Sequence, residues 1–108
     1  MKEQEPATVT VKRGSLYISR ALYDRYFAGV EAVILLGRGH DLLILPVRHA
    51  AAGGYLLKLR NSAGDRVVQA GDFFQAHGIG DETELILPVV WDREIAGLCA
   101  EAGLELQT

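Results

Sequence analysis

Residues 29–47 read GVEAVILLGRGHDLLILPV and place a short glycine-flanked loop between two apolar runs. A phosphate-binding loop would need a helix directly after its glycines, because backbone N–H groups at the start of a helix hold the anion. The segment after Gly39 instead leads into a short apolar run that ends at Pro46, which is typical of a strand. We therefore predict a β-hairpin with arms at 33–36 and 42–45, and the sequence does not indicate a nucleotide enzyme.

The length and composition indicate one small domain over residues 1–108, with hydrophobic residues making up 49% of the chain. A domain of this size buries only about two thirds of the surface that its unfolded chain exposes. We therefore expect apolar surface to remain and part of it to contact a second subunit. The single cysteine excludes an internal disulfide framework. The absence of a long apolar run and of an apolar targeting core at the N-terminus predicts a cytoplasmic protein that does not enter a membrane.

The net charge of -3 conceals an uneven distribution along the chain. Residues 1–60 carry nine Lys/Arg and five Asp/Glu, whereas residues 61–108 carry two Lys/Arg and nine Asp/Glu. A basic half is typical of proteins that face nucleic acid, and an acidic half can face a basic partner. Mutual attraction of the two halves within a dimer explains the same pattern, so the charge alone leaves these alternatives open.

The first part of the chain predicts two strands and a short helix. Residues 7–12 alternate polar and apolar side chains, the period of a half-buried strand, and a second short strand follows Gly14. Ser19 is a good N-cap for a helix over 20–28, whose apolar side chains fall on one arc. Gly29 is expected to end that helix.

The second part predicts a hairpin, a short helix, a strand and a final helix. Residues 55–60 and 66–69 are expected to pair as a hairpin, and 71–77 to form a helix. A strand over 84–90 follows. Asp92 is then expected to cap a C-terminal helix, because four apolar residues follow it at helical spacing: Ile95, Leu98, Cys99 and Ala102.

Two passages, 14–36 and 64–87, repeat the same order of strand, short helix, glycine and strand in nearly the same length. Such internal repetition constrains the fold more than single residues do. It predicts a mostly β (α+β) protein built from two strand-helix-hairpin units, at about 7–47 and about 54–102, with a C-terminal helix.

The first unit resembles the AbrB-type and MraZ-type transcription regulators. The residues that carry the resemblance are GSLYISRALYDRYF at 14–27 and EAVILLGRGHDLLIL at 31–45, with a Trp-Asp step at 91–92 in the second unit. The chain departs from the family pattern at Ser15, where an arginine is usual, at Ser19, where a proline is usual, and in the aspartate and arginine signature of MraZ-type proteins. The resemblance implies a swapped-hairpin barrel, closed within one chain or between two, and DNA binding near the strand-to-helix turn.

Five basic residues are the predicted nucleic-acid contacts: Lys12, Arg13, Arg20 and Arg25 around the first strand-to-helix turn, and Arg38 at the hairpin tip. Lys and Arg at such positions neutralise the phosphates of double-stranded DNA. We expect a homodimer that assembles through the apolar hairpin. The alternatives are a solvated basic rim, and an accessory module of the same fold that docks a protein partner without binding DNA.

The sequence predicts no catalytic residue, no metal and no cofactor. The soft ligands lack the close spacing of a structural zinc site, and they are His40, His49, His77 and Cys99. Cys99 is expected to be a small buried hydrophobe.

Four aromatic residues lie beside the arginines of the first unit. Tyr23, Tyr26 and Phe27 are expected to serve as core or dimer contacts of the helix. Tyr17, out of phase with its apolar neighbours, is expected to be exposed, and an exposed ring beside arginines is also found in single-strand binders.

Overall fold

The computed structural model describes residues 7–48 and 54–104, and strands dominate it. The elements in chain order are β1 (Ala7–Lys12), β2 (Ser15–Ile18), α1 (Arg20–Tyr26), β3 (Ala32–Arg38), β4 (Asp41–Val47), β5 (Tyr55–Leu56), β6 (Lys58–Leu59), β7 (Arg66–Gln69), α2 (Gly71–Ala76), β8 (Glu84–Asp92) and β9 (Gly97–Ala100). The predicted mostly β fold class is thus confirmed. Within the two described ranges, no helix is long and apolar enough to cross a membrane.

The strands form a nearly closed antiparallel barrel in the order β5-β3-β4-β9-β8-β1-β2-β7-β6. β5 pairs with β3 and β6 pairs with β7, so the short segment 55–59 forms both ends of the strand order and joins them. The N–H of Leu57, between these two strands, donates to the carbonyl of Glu31 at 2.9 Å. The barrel that the sequence left open between one chain and two is therefore formed within one.

Two strand-helix-hairpin units build the barrel, as the repeated passages predict. β2, α1, β3 and β4 form the first, and β7, α2, β8 and β9 form the second. β2 pairs with β7 and β4 pairs with β9, so equivalent strands meet across a local twofold axis. Because the strands of the two halves interleave in the sheet, the basic and acidic halves of the chain do not form separate regions.

The first helix begins after Ser19 as predicted, but it ends at Tyr26, two residues before the predicted end. The Ser19 hydroxyl accepts a hydrogen bond from the N–H of Leu22 at 3.2 Å, which satisfies a donor at the open helix start. Phe27 follows the last helical residue and is fully buried, and Gly29 has a φ of 80° that suits the exit from a helix.

The glycine-flanked loop is the tip of a hairpin, as predicted. β3 and β4 pair from Ala32 opposite Val47 to Arg38 opposite Asp41. No helix begins after Gly39, whose φ of 64° fits a tight hairpin turn.

The predicted C-terminal helix after Asp92 is wrong. Residues 97–100 form β9, an inner strand that pairs with β8 on one side and β4 on the other, and all four are buried. The Asp92 side chain accepts a hydrogen bond from the N–H of Glu94 at 2.9 Å and so shapes the β8–β9 turn. The apolar spacing fits a helix over these few residues, but two neighbouring strands complete the backbone hydrogen bonds of an extended segment instead.

Candidate nucleic-acid interface

Strict alternation in β1 and β2 separates a barrel interior from an outer surface. Val9, Val11, Leu16 and Ile18 are buried in the hydrophobic core. Because successive strand residues point to opposite faces, the residues between them point outward. We call this outer surface of β1, β2, β6 and β7 the polar face; it carries Thr8, Thr10, Lys12, Ser15, Tyr17, Lys58 and Gln69, with Arg60 beside them.

The strand register places Lys58 in one row with Tyr17. Lys58 lies opposite Val67 on β7, and Val67 lies opposite Tyr17 on β2. The Lys58 Nζ donates a hydrogen bond to Oε1 of Gln69 at 3.2 Å. An exposed lysine is thus held over the sheet with its charge uncompensated by this neutral partner.

Arg60 packs against Tyr17. Its guanidinium carbon lies 4.7 Å from the centre of the Tyr17 ring, within the range of a cation–π contact. A pocket of about 190 Å³ opens beside this pair, and Thr8, Thr10 and Ser19 contribute hydroxyl groups to its lining. Hydroxyl, phenol and guanidinium groups are all common donors to phosphate oxygens.

The β1–β2 turn carries another cation to the end of the polar face. Arg13 is exposed and has a φ of 55°, and Gly14 follows with a φ of 77°. Two successive positive φ values are those of the tight turn that matches the twist of paired strands. Arg13 is therefore presented at a hairpin tip next to Lys12.

Four cations lie on or beside the polar face: Lys12, Arg13, Lys58 and Arg60. Within the described part of the chain, none of them lies within 4.0 Å of a carboxylate oxygen. Glu84 is opposite Lys12 in the β1–β8 register and Asp65 lies near Arg60, so positive charge exceeds negative charge here. Hydrogen bonds from Asn61 and from the backbone N–H of Arg20 hold the pKa of Asp65 below its ordinary value, and the positive charge of Arg60 lowers it further.

The structure brings together only part of the predicted contact set. Lys12 and Arg13 lie on the polar face or at its end. Arg20 is at its margin, where its Nε pairs with Asp24 at 3.3 Å. The other two lie away from this face, Arg25 against the ring of Tyr26 and Arg38 across the barrel.

Sequence reasoning missed Lys58 and Arg60. They lie in the first arm of a predicted hairpin, but they reach Tyr17 only because β6 pairs with β7 and β7 pairs with β2. Two features of the sequence could have indicated their position. Tyr17 alternates with buried residues and so points outward, and the internal repeat suggests that the equivalent strands of the two units pair with each other.

The aromatic residues of α1 support the barrel, as expected. Phe27 is in the core, and Tyr23 and Tyr26 pack against it half-buried. The Tyr26 ring stacks on Trp91 of β8 with ring centres 4.8 Å apart and planes 2° from parallel. Tyr17 is half-buried on the outer side, so its ring reaches solvent in part.

The cysteine and histidine side chains are the remaining groups that could act as a nucleophile or bind a metal. Burial raises the pKa of the Cys99 thiol, with a further contribution from Asp41, which disfavours the nucleophilic thiolate. Among the described residues, His, Cys, Asp and Glu do not gather in a group of three that could hold a metal ion. His49 lies outside the described residues.

No protein-family model, no curated protein and no solved structure matches this chain. Function is therefore inferred from the geometry of the molecule, in which the polar face gathers four cations and several hydroxyl groups around Tyr17.

Proposed function

We propose that this protein is a small homo-oligomeric, cytoplasmic DNA-binding module of AbrB- or MraZ-like type that acts in transcription regulation and contacts backbone phosphates through the polar face. The observation that carries the proposal is the cluster of Lys12, Arg13, Lys58 and Arg60 around Tyr17, free of ion pairs within the described residues. Cations that are not already paired bind phosphate without first breaking a salt bridge. The sequence resemblance points to the same class of function.

The physical expectation is binding that depends strongly on salt. Each phosphate neutralised by a Lys or Arg releases condensed counterions, so the logarithm of affinity falls by about 0.9 per phosphate against the logarithm of salt concentration. Four such contacts give a slope of about -3.6 for each chain. The acidic sequence pI of about 5.5 makes nonspecific attraction by the whole molecule a poor source of such a slope.

Fluorescence anisotropy of a labelled DNA duplex over a salt series tests the proposal. The Lys58→Gln/Arg60→Gln variant should bind more weakly and lose about 2 from the magnitude of the slope, because each removed phosphate contact contributes about 1. The matched control is Arg25→Gln/Arg48→Gln, which removes the same charge from exposed positions in α1 and after β4. That control should retain the wild-type slope.

Two results would contradict the proposal. One is the absence of binding to duplex DNA at low ionic strength. The other is an equal loss of affinity in the two double variants, which would show that the polar face has no special part in binding.

The alternative function is an accessory module that docks a protein partner with the same cations. The observation in its favour is that Glu84 and Asp65 accompany the four cations, a mixture of charges that also suits a protein surface. In that case affinity purification would return a protein that the Lys58→Gln/Arg60→Gln variant fails to retain, and no nucleic acid would copurify.

A further inference from the structure

A continuous apolar row crosses the outer surface of four strands. Leu36 on β3 is opposite Leu43 on β4, Leu43 is opposite Cys99 on β9, and Cys99 is opposite Val90 on β8. The alternate residues of these strands are in the core, so this row points away from it. We call the outer surface of these four strands the apolar face.

The apolar face exposes large hydrophobic side chains at its two sides. Leu36 is 46% exposed and Val90 is 53% exposed, whereas the two residues between them in the row are each only 5% exposed. Ile34 and Leu45 form a second, half-buried row beside Leu36. Neighbouring apolar side chains that stay accessible on a small protein mark a site of protein contact.

Charges of both signs surround the row. Arg38 and Asp92 form an ion pair of 3.8 Å between β3 and β8, which the strand order separates by β4 and β9. They line an open groove of about 380 Å³, together with Asp41 and Glu101 at one end and Arg93 and Glu94 in the β8–β9 turn. A rim whose charges all had the same sign would repel the rim of a second copy. Both ends of this rim instead carry a cation and carboxylates, so two copies can place opposite charges together.

The internal symmetry of the fold also favours a copy of the chain as the occupant. The β3–β4 and β8–β9 hairpins are equivalent elements of the two units, and the register makes Leu36 the counterpart of Val90, and Leu43 of Cys99. A homodimer contact uses the same patch on both subunits, so the patch must complement itself. The apolar face repeats its own pattern about a local twofold axis. A second copy can therefore complement it in more than one orientation.

We infer that two copies of the chain associate through their apolar faces, with Leu36 and Val90 at the contact. This dimer leaves the polar face free, because β1, β2, β6 and β7 form the other wall of the barrel. It does not depend on the proposed DNA binding.

Light scattering coupled to size-exclusion chromatography tests this inference without nucleic acid. The wild-type chain of 11.8 kDa should elute with twice that mass and should dissociate on dilution. Leu36→Glu should give a folded monomer, since two carboxylates would be buried in the contact without partners. Leu59→Glu is the matched control, because Leu59 is 64% exposed on β6 and lies off the apolar face, and it should remain dimeric.

A wild-type chain that stays monomeric at every concentration would overturn the inference. This holds even if the apolar face is found to bind a different protein. A Leu36→Glu chain that remains dimeric would also overturn it. Far-UV circular dichroism establishes that the variant is folded. If it is not, Val90→Gln supplies the same test at the other side of the row, and the wild-type mass needs no substitution at all.

Discussion

Asp65 connects the two units of the barrel through one carboxylate. Its Oδ1 accepts a hydrogen bond from the backbone N–H of Arg20 at 2.8 Å, and its Oδ2 accepts one from the Asn61 amide at 3.0 Å. A turn of the second unit thereby satisfies an open donor at the start of the first helix. The carboxylate form makes both bonds best, which is why the pKa of Asp65 lies below its ordinary value.

The first prediction concerns the pH dependence of stability at this residue. Because the pKa is lower in the folded chain, the ionised carboxylate stabilises the fold above its unfolded pKa, and this contribution is lost as the pH falls through the folded pKa. Asp65→Asn should therefore be less stable than wild type at neutral pH, and the difference should shrink in acid. Urea unfolding at neutral and acidic pH measures it. Glu82→Gln, which removes an exposed loop carboxylate, should keep the wild-type pH dependence.

At the scale of elements, the β1–β2 turn is fixed by a close backbone approach. The carbonyl of Gly14 accepts a hydrogen bond from the N–H of Ala70, just before α2, at 3.0 Å. A Cβ on Gly14 would lie 2.9 Å from the Cα of Gly71. The turn that presents Arg13 is thus held by the second unit.

This contact predicts that Gly14→Ala is more destabilising than Gly39→Ala. Both glycines have positive φ, which costs alanine about 1–2 kcal/mol, but Gly39 has no atom within 4 Å of the added Cβ. Crowding against Gly71 adds to the strain at Gly14, for a total of about 2–5 kcal/mol. Chemical denaturation of the two variants gives the comparison, and equal losses would show that the turn moves freely away from α2.

The elements that the sequence predicts correctly are those whose signals are local. Ser19 caps the start of a helix with its own hydroxyl, Gly29 gives the chain a left-handed exit shortly after that helix ends, and the hairpin of 29–47 contains both arms and its turn. β9 depends on strands that are distant in the sequence, so four apolar residues at helical spacing were misleading. The same reason separates Lys12 and Arg13, whose position at the β1–β2 turn follows from the local sequence, from Lys58 and Arg60, which only long-range pairing brings to Tyr17.

At the scale of the whole molecule, neither unit completes its own sheet. β1 pairs with β8, β2 with β7 and β4 with β9, and each of these pairs joins the two halves of the chain. Strands deprived of these partners would leave backbone donors and acceptors, and an apolar surface, without cover. The barrel is therefore a single cooperative structure in spite of its internal repeat.

This interlocking predicts that fragments 1–52 and 53–108 fold together and not separately. The reporter is Trp91, the single tryptophan, which belongs to the second fragment and stacks on Tyr26 of the first. Mixing should restore strand signal in far-UV circular dichroism and a change in Trp91 fluorescence, both absent from the separate fragments. Tyr26→Ala in the first fragment should reduce the fluorescence change and leave most of the strand signal. Cooperative unfolding of fragment 53–108 alone would show instead that the second unit needs no partner from the first.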